Sequence, residues 1–344
     1  MEIKRWKFYF GVIILIGFFT IISCLILSSL KIPACNDETP FNNCSEIKPY
    51  FCSNGTLIEK ASVCGCRNSA KIDGDKCISE YQTQPKNIAL NYTLNGKKGE
   101  INFVAYKNLS DYLSDIPRYI TPVDGEEATL RDFRMKSLDE KKQRELLLPL
   151  VVAIENSAKN RDDQARIAVS IVQNIPFGSS NKTIKLLDLD LEYYRYPYEV
   201  LYDVEGVCGE KSELLSFLLR ELGYETAFLY FPNENHEAIG IKCPARKSFN
   251  SVGYCFIETT GPSIITDYKT EYVSVGQLDS FYEIIPIEGN LSFGESNFYE
   301  YSDAKTLNKI RQTSREYGAI NYIEHLQFRH LVEKYGLVTF EYKF

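Results

Sequence analysis

Residues 8–30 form an uncharged run of 23 positions, directly after a short tail that carries Lys4, Arg5 and Lys7. As a helix the run is about 34 Å long, enough to cross a hydrocarbon core of about 30 Å. A cleavable signal has a shorter apolar stretch, about 7–15 residues, followed by a small-residue cleavage site. Neither is present, so the run reads as an uncleaved anchor. Ile21-Ile22-Ser23-Cys24 has the look of a lipid-attachment box, but the apolar run continues six residues past Cys24, as expected of a cysteine inside a span. Basic residues ahead of the span predict a cytoplasmic tail at 1–7 and a single-pass anchor at 8–30 embedded in the lipid bilayer. The rest of the chain is then extracellular at the cell membrane.

An exterior location decides how the cysteines read. Six of the ten, Cys35, Cys44, Cys52, Cys64, Cys66 and Cys77, fall within 31–80 among Gly, Asn, Asp and Ser. Outside the cell such an even, dense set implies a framework of three disulfides, with fifteen pairings open. Zinc is the competing reading, but Cys64-Gly65-Cys66 lacks the two-residue gap of a zinc knuckle. Acceptor triplets for N-glycosylation at Asn43, Asn54, Asn91, Asn108, Asn181 and Asn290 spread along the same exterior portion. The net charge of -7, with no dense Lys/Arg block after the tail, argues against a nucleic-acid partner.

The remaining chain divides by pattern. Residues 81–106 read as a linker and a β-hairpin, in which 88–94 and 100–106 are β-prone and Asn95-Gly96 supplies the turn. A core of helices and strands follows at 107–285, and a helical region at 286–344. From 111 to 175 the periodicity is helical. Asn160 is placed to cap a helix whose apolar residues Ile167, Ala168, Ile171, Val172 and Ile175 share a face, expected beneath the functional region. Residues 194–202 are aromatic-rich and irregular. Leu214, Leu215, Leu218, Leu219 and Leu222 then mark a helix stopped by Gly223, and strand-like runs occupy 224–231, 235–242 and 254–260. Two amphipathic helices are expected near 303–317 and 320–334.

Three residues are the candidates for chemistry, with a buried structural cysteine and a solvated strand carboxylate as the competing readings of Cys208 and Glu258. Cys208, in Gly206-Val207-Cys208-Gly209, opens the Leu-rich helix, where the dipole and free N–H groups favour a thiolate nucleophile. Its own backbone N–H is a natural oxyanion donor. His236 starts a strand after the turn Pro232-Asn233-Glu234-Asn235 and suits the role of base, whereas His325 and His330 lie in the final helix. Glu258 lies in the next strand. Alternation puts His236 with Ala238 and Gly240, and Glu258 with Phe256 and Tyr254, so the carboxylate can orient the imidazole if the strands bring them together.

Helix-opening Gly-Val-Cys, a Leu-rich helix ending Leu222-Gly223-Tyr224, a strand beginning at His236 and a strand ending Ile257-Glu258-Thr259-Thr260-Gly261-Pro262 together resemble the transglutaminase-like superfamily of papain-like cysteine enzymes. The likeness is greatest to its membrane-anchored archaeal members and covers about 164–262. It implies an α+β papain-like core, with the Cys-opened helix on an antiparallel sheet. It also implies a triad of Cys208 nucleophile, His236 base and Glu258 orienter, and acyl transfer or hydrolysis on amide bonds of a protein or peptide substrate. No cofactor is implied. The family's third residue is usually Asp. A Trp or Gln often completes the oxyanion site, and the only Trp here is Trp6, in the tail. The superfamily also contains inactive scaffold or adhesion modules, which is the alternative reading.

Cys243 and Cys255 flank the hairpin between the His and Glu strands and point away from the His236/Glu258 face. This argues against a metal site shared with Cys208 and His236, and the exterior location suggests a disulfide. A register that sets His236 opposite Glu258, however, sets Cys243 opposite Ser251, roughly 13 Å from Cys255. An end to regular pairing at Pro244, through a bulge or bend, would then let the bridge form.

Overall fold

The computed structural model describes residues 33–337 except 68–69, 121–127, 180–182, 187–188, 193, 270–275, 279 and 295–296. The expected tail and anchor, Cys24 and Asn181 lie outside the described residues. Among the described residues no helix is long and apolar enough to cross a membrane.

The chain is mixed α+β with small antiparallel sheets. The cysteine-rich segment pairs β1 (Tyr50–Ser53) with β2 (Thr56–Glu59), adds the single turn α1 (Ala61–Cys64), and pairs β3 (Lys71–Asp73) with β4 (Lys76–Ile78). Its bridges are Cys35–Cys52, Cys44–Cys64 and Cys66–Cys77, three disulfides as expected, with the pairing now fixed. Next comes one long hairpin, β5 (Pro85–Leu94) with β6 (Lys97–Tyr106), turning at Asn95 and Gly96. Both turn residues have positive φ, 50° and 77°, the conformation a tight hairpin needs. The hairpin consumes most of the expected linker.

Four helices follow: α2 (Lys107–Asp115), α3 (Leu130–Leu138), α4 (Lys141–Ser157) and α5 (Arg161–Asn174). Asn160 Oδ1 accepts from the Asp162 N–H at 2.8 Å, so the expected cap forms. A short hairpin, β7 (Thr183–Leu186) with β8 (Leu189–Glu192), precedes α6 (Pro197–Asp203), which orders part of the stretch read as irregular. The central helix α7 (Cys208–Glu221) then feeds β9 (Thr226–Phe231), β10 (His236–Lys242) and β11 (Tyr254–Ile257). One further strand, β12 (Glu283–Ile287), was not read from the sequence, and the 285/286 boundary falls inside it. Helices α8 (Tyr299–Tyr317) and α9 (Tyr322–Tyr335) complete the chain. His325 and His330 are exposed on α9.

The largest sheet is antiparallel in the order β11-β10-β9-β12. Its side chains sort by alternation. Phe228, Ile239, Ile241 and Ile257 join the main core with the Leu residues of α7, while Leu229, Phe231, Ala238 and Phe256 form a second apolar cluster. α7 lies on the first face and α5 packs against α7, beneath the site as expected.

The register resolves the disulfide conflict. Ile239 pairs with Ile257 and Ile241 with Cys255, a slip of two residues from direct His236–Glu258 pairing. His236/Glu258 and Cys243/Cys255 thus both become diagonal neighbours, displaced in opposite senses about the same ladder. Cys243–Cys255 closes with Cα atoms 5.8 Å apart, and the Cys243 N–H still donates to Gly253 O at 3.0 Å. No bulge at Pro244 is needed.

Candidate active site

Cys208 is the first residue of α7 and, among the described residues, the one free cysteine; it is half-buried. The helix start is held in place from several sides. Glu210 reaches back to accept from the Val207 N–H at 3.0 Å, half of a capping box, and also accepts from the Arg195 backbone N–H at 2.7 Å and Nε at 3.0 Å. Thr259 Oγ1 donates to Cys208 O at 3.3 Å, and Ser212 Oγ to Glu237 O at 3.3 Å. These contacts dock the first turns of α7 onto the ends of β10 and β11. The side chain at Cys208 can therefore reach the strand end where His236 sits.

His236 is buried and bonded on two sides. Its Nε2–H donates to Glu258 Oε2 at 2.9 Å, which leaves Nδ1 for the side-chain hydrogen bond it shares with Cys208. Burial works to lower its pKa. The hydrogen bonds to Cys208 and Glu258, with the electrostatic attraction these partners exert on the imidazolium, outweigh burial and raise it to about 10. The ring therefore carries its proton at neutral pH, held between a carboxylate and a sulfur.

Glu258 sits just past the end of β11, where the chain turns. Its second oxygen accepts from the Thr259 N–H at 3.0 Å, the Thr260 N–H at 2.9 Å and the Thr260 hydroxyl at 2.7 Å. Burial pushes its pKa up, but His236 and the Thr260 donors prevail and hold it below the usual carboxylate range. From α5, Gln173 Nε2 donates to Glu258 O at 2.8 Å and fixes the backbone. The extra methylene of Glu relative to Asp is thus absorbed by placing the residue beyond the ladder rather than opposite His236.

Behind this trio lies a buried charged layer that periodicity did not reveal. Arg134 of α3 donates to Glu213 Oε1 at 2.7 Å, Glu237 Oε2 at 2.8 Å and the Tyr194 hydroxyl at 2.5 Å. Gly209 makes room for that hydroxyl, since a Cβ there would lie 2.3 Å from it. Lys211, with no exposed surface, donates to Ile175 O at 2.6 Å and Thr260 O at 3.2 Å. Burial lowers its pKa to about 8, against the attraction of Glu258. The available signal was three ionisable residues, Glu210, Lys211 and Glu213, in the first two turns of the Leu-striped helix. The Leu stripe assigns them to solvent, and the structure buries all three.

All three candidate residues therefore come together, and the Cys208 backbone N–H lies in the first turn of α7. Cys243 and Cys255 belong to the main core, apart from the site. Of the glycosylation triplets, Asn43, Asn54, Asn91 and Asn290 are exposed and Asn108 is half-buried on α2. Neither a protein-family model nor a curated protein sequence matches the chain.

Proposed function

We propose that this chain is a surface-anchored, transglutaminase-like thiol enzyme that transfers or hydrolyses acyl groups at amide bonds of proteins or peptides. The observation that carries the reading is His236, bonded at once to the free thiol at the start of α7 and to a buried, ionised Glu258. Cys208 Sγ attacks the amide carbonyl, and the oxyanion forms beside the Cys208 N–H. His236 gives its proton to the leaving amine as the C–N bond breaks, leaving a thioester. Water or a second amine then attacks that thioester, His236 takes the attacking group's proton, and the C–S bond breaks to free the sulfur. Glu258 stays ionised and holds the ring. An inactive scaffold would suit a sealed Cys208 or a distant His236; here Cys208 is half-buried and its side chain hydrogen-bonds the imidazole.

Alkylation of the detergent-solubilised full chain with iodoacetamide, read on the peptide that carries Cys208, tests this. A free thiol is only about 0.3% ionised at pH 6, so Cys208 is expected to react on the order of 10–100-fold faster than a free cysteine peptide there. His236→Ala is expected to remove most of that advantage, and Glu258→Gln part of it. A free-thiol rate at pH 6, unchanged by His236→Ala, would refute the reading.

A further inference from the structure

Phe177 exposes 59% of its surface three residues after the end of α5. A solitary exposed Phe on a loose loop would need no explanation, but this loop is held firmly. Phe177 forms a parallel bridge with Gly206, the Gly206 N–H donates to Pro176 O at 3.2 Å, and the Gly178 N–H donates to Gly206 O at 3.3 Å. Two buried cations hold its ends: Lys211 Nζ donates to Ile175 O and Arg195 Nη2 donates to Gly178 O at 2.7 Å. The same Lys211 ammonium also donates to Thr260 O, so the loop is tied to the turn that grips Glu258. Burying a lysine is costly, and here it fixes the backbone under one solvent-facing aromatic ring.

The position of that ring gives it a use. Gly206 precedes Cys208 by two residues, and paired backbones lie about 4.8 Å apart. An extended peptide advances about 3.3 Å per residue, so a chain bound at Cys208 passes Phe177 within one or two residues of the attacked carbonyl. We propose that Phe177 is the wall of a subsite for a large apolar side chain of the acyl-donor peptide, one or two residues from the scissile amide. This rests on the thiol-enzyme reading above. The outer rim is acidic: a Cβ on Gly178 would meet the Glu205 side chain, whose carboxylate is part-exposed and 3.5 Å from Arg195. Acidic residues are therefore disfavoured where apolar ones are taken. A fixed wall binds without an ordering cost, which is the benefit of such anchoring.

The test uses the full chain in detergent and N-acetyl dipeptidyl chloromethyl ketones carrying Leu, Gly or Glu at the first, and separately the second, residue from the ketone. Each rate of Cys208 modification is divided by the iodoacetamide rate of the same protein, which cancels any general change in the thiol. Wild type is expected to favour Leu over Gly by about 10-fold or more at one position and to disfavour Glu. Phe177→Ala is expected to bring the Leu/Gly ratio close to one, and Phe177→Leu to keep most of it. A ratio that survives Phe177→Ala, or equal Leu and Gly rates in wild type, overturns the subsite and leaves the enzyme reading standing. Failure of every ketone to modify Cys208, with iodoacetamide reacting at the free-thiol rate, overturns both.

Discussion

The cysteine-rich segment and the first turns of α7 are held together by opposite means. The segment closes three disulfides, over separations of 17, 20 and 11 residues, around a cluster of Cys35, Tyr50, Cys52 and Leu57 completed by Val152 of α4. Around α7 the apolar core is continuous and large, and the buried ionisable groups Arg134, Arg195, Glu210, Lys211, Glu213, Glu237 and Glu258 sit within it. A segment too small to bury much surface relies on covalent staples. A region with a large core can hold charges in fixed places, each at a cost in stability. Local cost concentrated beside Cys208 is what the proposed thiol chemistry would call for.

Chemical reduction should separate the two regions most sharply. A disulfide typically contributes about 2–4 kcal/mol, so losing three is expected to speed proteolytic cutting within 33–78 by on the order of 10²-fold or more. Peptides from α7 and β10 should stay protected, because Cys243 and Cys255 are buried in the core. Asn156 exchanges two hydrogen bonds with the Leu57 backbone, at 2.9 and 3.0 Å, and these are among the contacts through which damage could spread. Limited proteolysis with mass spectrometry, with and without reductant, reads both regions at once. Simultaneous exposure of α7 would show a single cooperative unit and remove the contrast.

Removing the cation that the two carboxylates share should have the next largest effect. Arg134→Met leaves Glu213 and Glu237 buried without a counter-charge, and breaking a buried pair in this way costs about 3–5 kcal/mol. Thermal unfolding should fall accordingly, and adding Glu213→Gln with Glu237→Gln should restore most of the loss. An unchanged Tm for Arg134→Met would mean that water reaches the cluster and that the first turns of α7 are less enclosed than the structure shows.

The same contrast explains what could be read from the sequence. The disulfide framework, the Asn95-Gly96 hairpin, the Asn160 cap and the order of Cys208, His236 and Glu258 all depend on local pattern, and they were legible. Strand alternation correctly separated His236 and Glu258 from Cys243 and Cys255. Register was not legible, because alternation survives a slip of two residues unchanged. β12 was missed because Pro286 argues against a strand, and it is tolerated here because β12 is an edge that pairs only with β9. The charged layer was missed for a different reason. Arg134 lies 79 residues from Glu213 and 103 from Glu237, so only tertiary packing shows that polar positions on a Leu-striped helix face a cation instead of water.

Glu237 gives the finest test, because its cost depends on pH. Burial is the main cause that raises its pKa, to about 7; Glu213 adds to the rise, while Arg134 and the neighbouring His236 oppose it. Glu237 Oε1 has no hydrogen-bond partner among the described residues, and Tyr194 adds no charge that could relieve it. Between about 4.5, the unfolded value, and about 7 the folded protein holds a proton that the unfolded chain has released. Stability therefore falls as pH rises through that window, and above it the penalty is fully present. Glu237→Gln cannot ionise and still offers an acceptor to Arg134. The variant should gain on wild type by about 1–3 kcal/mol between pH 5 and pH 8, measured as the difference in denaturant unfolding at each pH so that groups common to both proteins cancel. A difference that stays constant across this range would place the excess charge elsewhere. The layer behind His236 would then be an ordinary satisfied ion cluster, no more costly than the stapled segment.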